Sequence, residues 1–386
     1  MSIARLFYDR KVRDAASQGL AVAALVALGW FFVANAAENM TKAGIASGFD
    51  FLFRNSGIEV PMHLVSHTAN DSFLNLLLVG VLNTVLVSAL GIVAATALGF
   101  AIGIARLSSN WLLAAIAGAY VEFVRNIPLL LFVFFWYFGI IRALPGPRQS
   151  LALFDAFFLN SRGAYVPVPK DWTAFAGVPV ALALGALAAW SLGRWAAARQ
   201  AETGKTFPTL SGGLGLVLGL PSLALIWAGA TTPWDVPALR GINFRGGFVL
   251  IPEFVAIFAA LVTYTAGFIA EIVRGGILAI GKGQWEAAAA LGLTRTQALR
   301  LIVVPQALRV MVPPMTSQYL NLLKNSSFGA AIAYPEIVSV FMGSALTATG
   351  QAIEIIAITL GIYLSLSLAV SAFMNWYNAK IALVTR

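Results

Sequence analysis

The sequence EAAAALGLTRTQALRLIVVP occupies residues 286–305 and lies between two long apolar segments. Its run of alanines predicts a short helix, and Gly292 follows at the place where a glycine commonly ends a helix. Thr294 is placed to cap a second helix, which Pro305 is predicted to end. The stretch therefore predicts two helices joined at a glycine, with a small-residue face that another protein can approach closely. An ordinary connection between spans is the alternative, although most such connections are shorter.

The composition around this stretch requires a membrane. Of the 386 residues, 59% are hydrophobic and only 11% are charged, whereas soluble domains carry about 25% charged residues. The apolar runs are long and unbroken, unlike the alternating segments of about 10 residues that form membrane barrels. We therefore expect an all-α integral membrane protein.

The apolar runs are long enough for about eight helices, each of about 20 residues, to cross a bilayer. The third run contains Arg125 and Pro128, which predicts an interfacial helix that kinks before it crosses. The seventh run is the least apolar. The eight runs are Leu20–Ala37, Leu76–Ala105, Trp111–Ile141, Phe175–Ala196, Leu214–Ala230, Ile251–Val273, Val310–Ala331 and Ala352–Trp376.

Positive charge predicts the orientation, because Lys and Arg collect on the cytoplasmic side. Eight spans put both termini on one side, and that side receives the larger set of Lys and Arg. Its members are Arg5, Arg10, Lys11, Arg13, Arg106, Arg194, Arg199, Lys205, Arg274, Lys282, Arg295, Arg300, Arg309, Lys380 and Arg386. The other side receives Lys42, Arg54, Arg142, Arg148, Arg162, Lys170, Arg240 and Arg245. Both termini are therefore expected in the cytoplasm.

Four regions are predicted along the chain. Residues 1–70 hold the N-terminal tail, the first span and a periplasmic loop, and residues 71–141 hold the first part of a core. Residues 142–250 are rich in Pro and Gly and read as an insertion with two extra spans and periplasmic stretches. Residues 251–386 hold the second part of the core, including a loop at 282–305.

Several other functions lack a signature. The chain has no cysteine, which excludes disulfides and thiolate metal sites. Gly204-Lys205-Thr206 lacks the earlier glycine of a phosphate-binding loop, so the chain itself is not expected to hydrolyse ATP. His63 and His67 are four residues apart, but two ligands are weak grounds for a metal site, and none is predicted. The net charge of +9 is explained by the membrane rather than by nucleic acid.

The 286–305 stretch resembles the EAA signature loop of bacterial binding-protein-dependent ABC importer permeases. The spacing is Glu-Ala-Ala, three residues, Gly, nine residues, Ile, two residues and Pro. The residues in register are Glu286, Ala287, Ala288, Gly292, Ile302 and Pro305. The resemblance implies that these residues, with Arg295, form a coupling helix that fits a groove of an ATPase subunit.

The flanking sequence resembles the polar amino acid permeases over about 75–140 and 250–378. Tyr264–Ile277 and Tyr120–Leu129 carry much of this likeness. The extra first span and the insertion resemble the larger permease of the general L-amino acid transport systems. The implied fold is a type I importer permease core of five helices, an extra N-terminal helix and an inserted helical pair.

The resemblance also implies an assembly in the bacterial inner membrane. We expect a second homologous permease, two copies of an ABC ATPase that bind ATP and Mg, and a periplasmic amino acid binding protein. No cofactor is expected in this chain. The solutes would be L-amino acids, and the chain would be a transport subunit, not an enzyme.

Polar residues on the seventh span are the candidates for a solute pathway, because polar groups inside a membrane bundle commonly mark one. Gln318, Asn321 and Asn325 share one helix face. The candidates are Gln318, Asn321, Lys324, Asn325, Ser326 and Ser327, with Asn83 and Thr84 on the second span. Hydrogen bonding between helices is the alternative for this stripe. In relatives that carry cationic amino acids, acidic residues take the places of Gln318 and Asn325, so the neutral amides suit broad specificity.

Two rival functions remain. A secondary transporter driven by an ion gradient would need acidic residues near the midplane, for which Glu271 and Glu354 are the nearest candidates. An intramembrane hydrolase would need a nucleophile and base, and no motif for them is present.

Overall fold

The computed structural model describes residues 10–42, 47–204 and 207–381. Within these residues, seven helices are long and apolar enough to cross a membrane. A bent pair, Trp111–Arg125 and Leu129–Ile141, makes an eighth span if it is counted as one. All eight predicted spans coincide with these segments, and the all-α membrane fold is confirmed. Arg5, Lys205 and Arg386 of the orientation count lie outside the described residues.

The helices follow one another with short connections. They are α1 Arg10–Lys42, α2 Phe73–Ala105, α3 Trp111–Arg125, α4 Leu129–Phe134, α5 Gly177–Thr203, α6 Thr209–Thr231, α7 Pro252–Leu278, α8 Lys282–Ala290, α9 Arg295–Ala298, α10 Val304–Asn325, α11 Leu346–Thr349 and α12 Ala352–Ile381. Short 3₁₀ helices lie at Asp50–Phe53, Pro147–Gln149, Trp172–Ala176 and Ser326–Ile332. π-Helical turns lie at Phe135–Ile141, Leu299–Val303 and Val338–Ala345.

The kink predicted in the third span is present. α3 and the helix that follows it are bent by 108° at a break between Arg125 and Leu129. Pro128 lies in this break, where its missing N–H and its ring prevent α3 from continuing. The Asn126 side chain donates to the Glu122 carbonyl at 2.7 Å and satisfies one of the free carbonyls at the end of α3.

α2 shows why small residues recur in this chain. Gly91, Ala95, Gly99 and Gly103 are all buried on one face. A Cβ added at Gly99 would lie 2.6 Å from the Ile269 side chain and 3.1 Å from a carbonyl of α7. α2 and α7 therefore approach nearly to backbone contact, as small residues allow in membrane bundles.

A compact cluster of apolar residues closes one end of the bundle. Phe51 and Phe73 stack edge to face at 5.8 Å, and Phe341 lies 6.4 Å from Phe51. The cluster includes Leu76 and Ile337, which are fully buried. The segment before α2 is held beside it, because the ring nitrogens of His67 lie 3.0 Å from Asn75 Oδ1 and 2.9 Å from the Ile58 carbonyl.

Residues Phe134–Ala256 form a compact unit of their own, distinct from the described parts of Met1–Val133 and Ile257–Arg386. The insertion predicted at 142–250 lies within this unit. Its helices α5 and α6 pack against each other, and a Cβ at Gly185 would lie 2.6 Å from the Leu216 carbonyl.

Short antiparallel strands, which the sequence did not predict, flank this helical pair. They are β1 Leu151–Leu153, β2 Phe157–Asn160, β3 Gly163–Val166, β4 Val168–Pro169, β5 Trp234–Asp235, β6 Ala238–Arg240, β7 Asn243–Arg245 and β8 Phe248–Leu250. β1, β2, β3 and β8 form one sheet in that order. β3 pairs with β8 in the register Ala164 with Leu250 and Val166 with Phe248, so strands from before and after the helical pair join directly.

The contact between α2 and α7 predicts an effect of a single methyl group. We expect Gly99→Ala to lower the free energy of unfolding by about 1–3 kcal/mol, the usual cost of overpacking. Gly118→Ala on α3 is the matched control, because nothing lies within 4 Å of a Cβ there, and it should be neutral or slightly stabilising. Thermal unfolding of the purified proteins in one detergent measures both. Equal melting temperatures for the two variants would contradict the close approach.

Candidate functional site

The loop between α7 and α10 is an ordered helix–turn–helix. α8 ends in a Schellman motif: the Leu293 N–H donates to the Ala288 carbonyl at 3.1 Å and the Gly292 N–H donates to the Ala289 carbonyl at 2.9 Å. Gly292 has φ +73°, the left-handed conformation that glycine adopts without strain. The turn predicted at Gly292 is therefore present, and it fixes the exit of the chain from α8.

The start of α9 is also fixed by local hydrogen bonds. The Gln297 N–H donates to Thr294 Oγ1 at 3.3 Å, and the Thr294 N–H donates to Gln297 Oε1 at 2.9 Å. This reciprocal pair is a capping box, which satisfies two backbone donors that the helix itself cannot. The cap predicted at Thr294 is confirmed, and both ends of the turn are held by hydrogen bonds.

The loop presents a particular surface. Ala288 and Ala298 are buried between the two helices, whereas Glu286, Ala287, Gly292 and Arg295 are exposed. Leu291, a large apolar side chain, is 76% exposed. A cavity of about 350 Å³ lies between the two helices. Its lining residues are Trp285, Ala289, Leu293, Arg295 and Ala298.

The prediction that Pro305 ends the second helix is wrong. α9 continues through a π-helical turn, Leu299–Val303, which contains Ile302, into α10, and Arg295–Ile332 passes as one span. Pro305 is the second residue of α10. A proline lacks an N–H, but a first helical turn needs none from it, and the π turn has already broken the regular ladder. The loop is therefore continuous with the seventh span.

The polar stripe of α10 divides into two groups. Within the described residues, the side chains of Gln318, Asn321, Lys324 and Asn325 make no hydrogen bond or ion pair, and Asn321 and Lys324 are exposed. The two serines that follow bond to their own helix: Ser326 Oγ donates to the Leu323 carbonyl at 2.6 Å, and Ser327 Oγ to the Lys324 carbonyl at 2.7 Å.

Asn83 and Thr84 lie in the interior of the bundle. Both are fully buried. Asn83 Nδ2 donates to the carbonyls of Met62 and Pro335, each at 2.9 Å, and Thr84 Oγ1 accepts from the Ile337 N–H at 3.2 Å. Asn83 Oδ1 has no partner among the described residues. These two side chains thus join α2 to the connection between α10 and α12, and their role toward a solute stays a prediction.

Sequence reasoning missed Glu336, the fully buried carboxylate of that connection. Its two oxygens accept from the N–H groups of Val338 (2.9 Å) and Ser339 (2.7 Å) at the start of the π-helical turn, and from the Tyr363 hydroxyl at 3.0 Å. The one signal in the sequence is that Glu336 is a single acidic residue within an apolar stretch.

The acidic candidates of the rival secondary transporter have partners. Glu271 accepts from Arg106 and from Arg274, the latter at 2.5 Å. Glu354 Oε1 accepts from the Gly48 N–H at 2.7 Å. The described residues bring together no group of three or more His, Cys, Asp or Glu that could hold a metal ion.

Comparison with known sequences places this arrangement among transport proteins. The profile of the family described as "Binding-protein-dependent transport system inner membrane component" matches residues 95–383, about three quarters of the chain.

Three relatives match along almost their whole length. The putative amino-acid ABC transporter permease protein YhdX of Escherichia coli K12 is 50% identical over 98% of this chain and 97% of its own. The general L-amino acid transport system permease protein AapQ of Rhizobium johnstonii is 47% identical over 98% of this chain and 94% of its own. The glutamate/glutamine/aspartate/asparagine transport system permease protein BztB of Rhodobacter capsulatus is 38% identical over 100% of this chain and 97% of its own.

The capping box predicts a measurable change in local stability. Thr294→Ala removes the side-chain acceptor and should cost about 1 kcal/mol, which is about a fivefold rise in the opening of α9. Amide hydrogen exchange of Gln297 and Ala298, whose N–H groups bond to Thr294, should accelerate by that factor. The matched control is Thr296→Ala, at an exposed position in α9 that makes no cap. The same exchange rate in both variants would show that the box does not hold the turn.

Proposed function

The chain belongs to the family of binding-protein-dependent transport system inner membrane components, and on this premise we propose how it works. Its full-length relatives are permease subunits of amino acid ABC transporters. The chain is accordingly a permease subunit of an ATP-driven amino acid transporter, a transport component rather than an enzyme. It is not a secondary transporter driven by an ion gradient.

Energy enters at Glu286–Pro305 in this proposal. The observation that carries it is the ordered, exposed helix–turn–helix that continues into the seventh span through the π-helical turn Leu299–Val303. Glu286 is exposed and makes no ion pair within the described residues, so its charge is available to a partner. A partner that pushes on α8 moves a preformed element, because the Schellman motif and the capping box hold the turn.

We infer the partners from the family to which the chain belongs. An ABC ATPase present in two copies binds ATP and Mg and receives the loop, with Glu286, Ala287, Gly292, Arg295, Ile302 and Pro305 at the contact and the buried Ala288 packed beneath them. A second homologous permease completes the membrane part, and a periplasmic binding protein delivers L-amino acids. The assembly lies in the bacterial inner membrane, with both termini in the cytoplasm.

The solute passes beside α10. Four side chains of this helix, Gln318, Asn321, Lys324 and Asn325, have no partner within the described residues, and polar groups without partners are costly against lipid. A polar route explains their presence. Ser326 and Ser327 lie beside the stripe, and Asn83 and Thr84 lie deeper. Because Gln318 and Asn325 are neutral amides, they do not select a cation by charge, which supports a broad range of amino acids.

Alternating access then needs only movement of α10 with the loop. Closure of the ATPases displaces α8 and α9, and the helical segment Arg295–Ile332, which includes a π-helical turn, carries the displacement to the stripe. The outer side opens when the inner side closes.

Substitutions in the loop test this coupling. Glu286→Gln combined with Gly292→Val should reduce ATP-dependent uptake to background and weaken co-purification of the ATPase, since Gly292 has a backbone conformation that strains valine. Glu122→Gln combined with Gly281→Val is the matched control: Glu122 is exposed, and Gly281 has φ −56° and open space around a Cβ. Uptake is measured in vesicles that contain the complete transporter. Full uptake by the loop variant would refute the coupling role.

A further inference from the structure

A small cavity lined by both charged and apolar side chains lies where α3, α7 and α10 meet. Its volume is about 260 Å³. Its lining residues are Arg125, Phe268, Glu271, Ile272, Pro314, Ser317 and Gln318. We call it the Arg125 pocket. Glu271 precedes the end of α7 by seven residues, about 10 Å along the helix, and pairs with Arg106 and Arg274. The pocket therefore lies toward the C-terminal end of α7.

The charge of this pocket is positive. Its one carboxylate, Glu271, already accepts hydrogen bonds from both Arg106 and Arg274. Those two guanidinium groups more than neutralise the carboxylate, and Arg125 adds a further positive charge at the pocket wall. A solute ammonium group would therefore find no free anion in the Arg125 pocket, whereas an anion would be attracted.

Arg125 itself has no anionic partner within the described residues. Its guanidinium carbon lies 5.8 Å from the centre of the Phe268 ring, a contact that covers one face of the group but uses none of its N–H donors. Arg125 is exposed at the last residue of α3, so its N–H donors are open to a ligand. The rigid fork of N–H groups matches an oxyanion with two oxygens, such as a carboxylate or a phosphate.

We propose that the Arg125 pocket binds the carboxylate of the transported amino acid, with Arg125 as the bidentate donor. Ser317 and Gln318 supply neutral polar groups beside it, and Phe268, Ile272 and Pro314 supply an apolar wall for the rest of the solute. The pocket is smaller than most drug-binding cavities, which suits a small solute. This inference rests on the proposed function, and it adds the group of the solute that is recognised.

Recognition of the carboxylate explains how one site serves many amino acids. The carboxylate is common to all of them, whereas the side chain differs. A site that reads the shared group and leaves the side chain against Phe268, Ile272 and Pro314 discriminates weakly between amino acids, because an apolar wall separates similar solutes by only about 1–3 kcal/mol.

Binding of L-glutamine to the assembled permeases and ATPases, in nanodiscs without the binding protein, tests the proposal. We expect R125Q to weaken binding of radiolabelled L-glutamine at least tenfold and R125K to restore part of the loss. The matched control is R194Q, since Arg194 also lies over an aromatic ring, 5.0 Å from the centre of Trp190, but outside the pocket; it should bind like the unaltered complex. Binding at full affinity by R125Q would overturn the proposal.

A second measurement uses the unaltered complex and is independent of how the variants fold. L-Glutaminamide, in which a neutral amide replaces the carboxylate, should fail to compete with L-glutamine at a tenfold excess. Equal competition would refute recognition of the carboxylate.

A lipid phosphate offers the same chemistry, and the composition of the nanodisc separates the two sources. The effect of R125Q on glutamine binding should be equal in phosphatidylcholine and in phosphatidylcholine with phosphatidylglycerol. An effect confined to discs with phosphatidylglycerol would assign Arg125 to lipid and overturn the proposal. ATP-dependent uptake by the unaltered transporter with its binding protein is measured separately. If that uptake is absent, the proposed function fails; if it is present and R125Q binds normally, only the carboxylate site fails.

Discussion

Every polar group inside this bundle has to find its partner within the protein, because hydrocarbon offers none. The chain meets this constraint mostly with its own backbone. Asn83 donates to two carbonyls of other segments, Glu336 accepts from two N–H groups, and Glu271 takes two arginines. The places where the constraint is left unmet stand out against this background. They include the amides and the lysine of α10 and the guanidinium of Arg125, which belong to the proposed solute route, and also single buried atoms such as Ser88 Oγ and Thr359 Oγ1.

The same constraint explains what could be read from the sequence. Span positions depend on length and apolar content alone, so all eight were found. The turn at Gly292 and the cap at Thr294 depend on hydrogen bonds between residues three to five positions apart, so they too were predictable. Pro305 was misread because its effect depends on its place in the helix. A proline ends a helix from within but is tolerated in a first turn, and the π-helical turn that makes this a first turn has no clear sequence signal.

Features that depend on contacts between distant segments were not predictable. The pairing of β3 with β8 joins residues about 84 positions apart across two helices, and each strand is too short to show a pattern. Glu336 gives no sign in the sequence that Tyr363 lies beside it. The Arg125 pocket needs three helices to be placed before its charges can be counted. For the candidate site, the Glu286–Pro305 loop was therefore visible in the sequence and the Arg125 pocket was not.

The pairing of β3 with β8 has a consequence for how such a chain can change over generations. The strands that precede and follow the inserted helices lie side by side, so the segment between them begins and ends at neighbouring points. A piece of chain bounded in this way can be lengthened, shortened or exchanged while its two flanking strands keep their pairing. The length and sequence of the α5–α6 hairpin should therefore vary more among relatives than those of α7 or α10, which are packed against other helices.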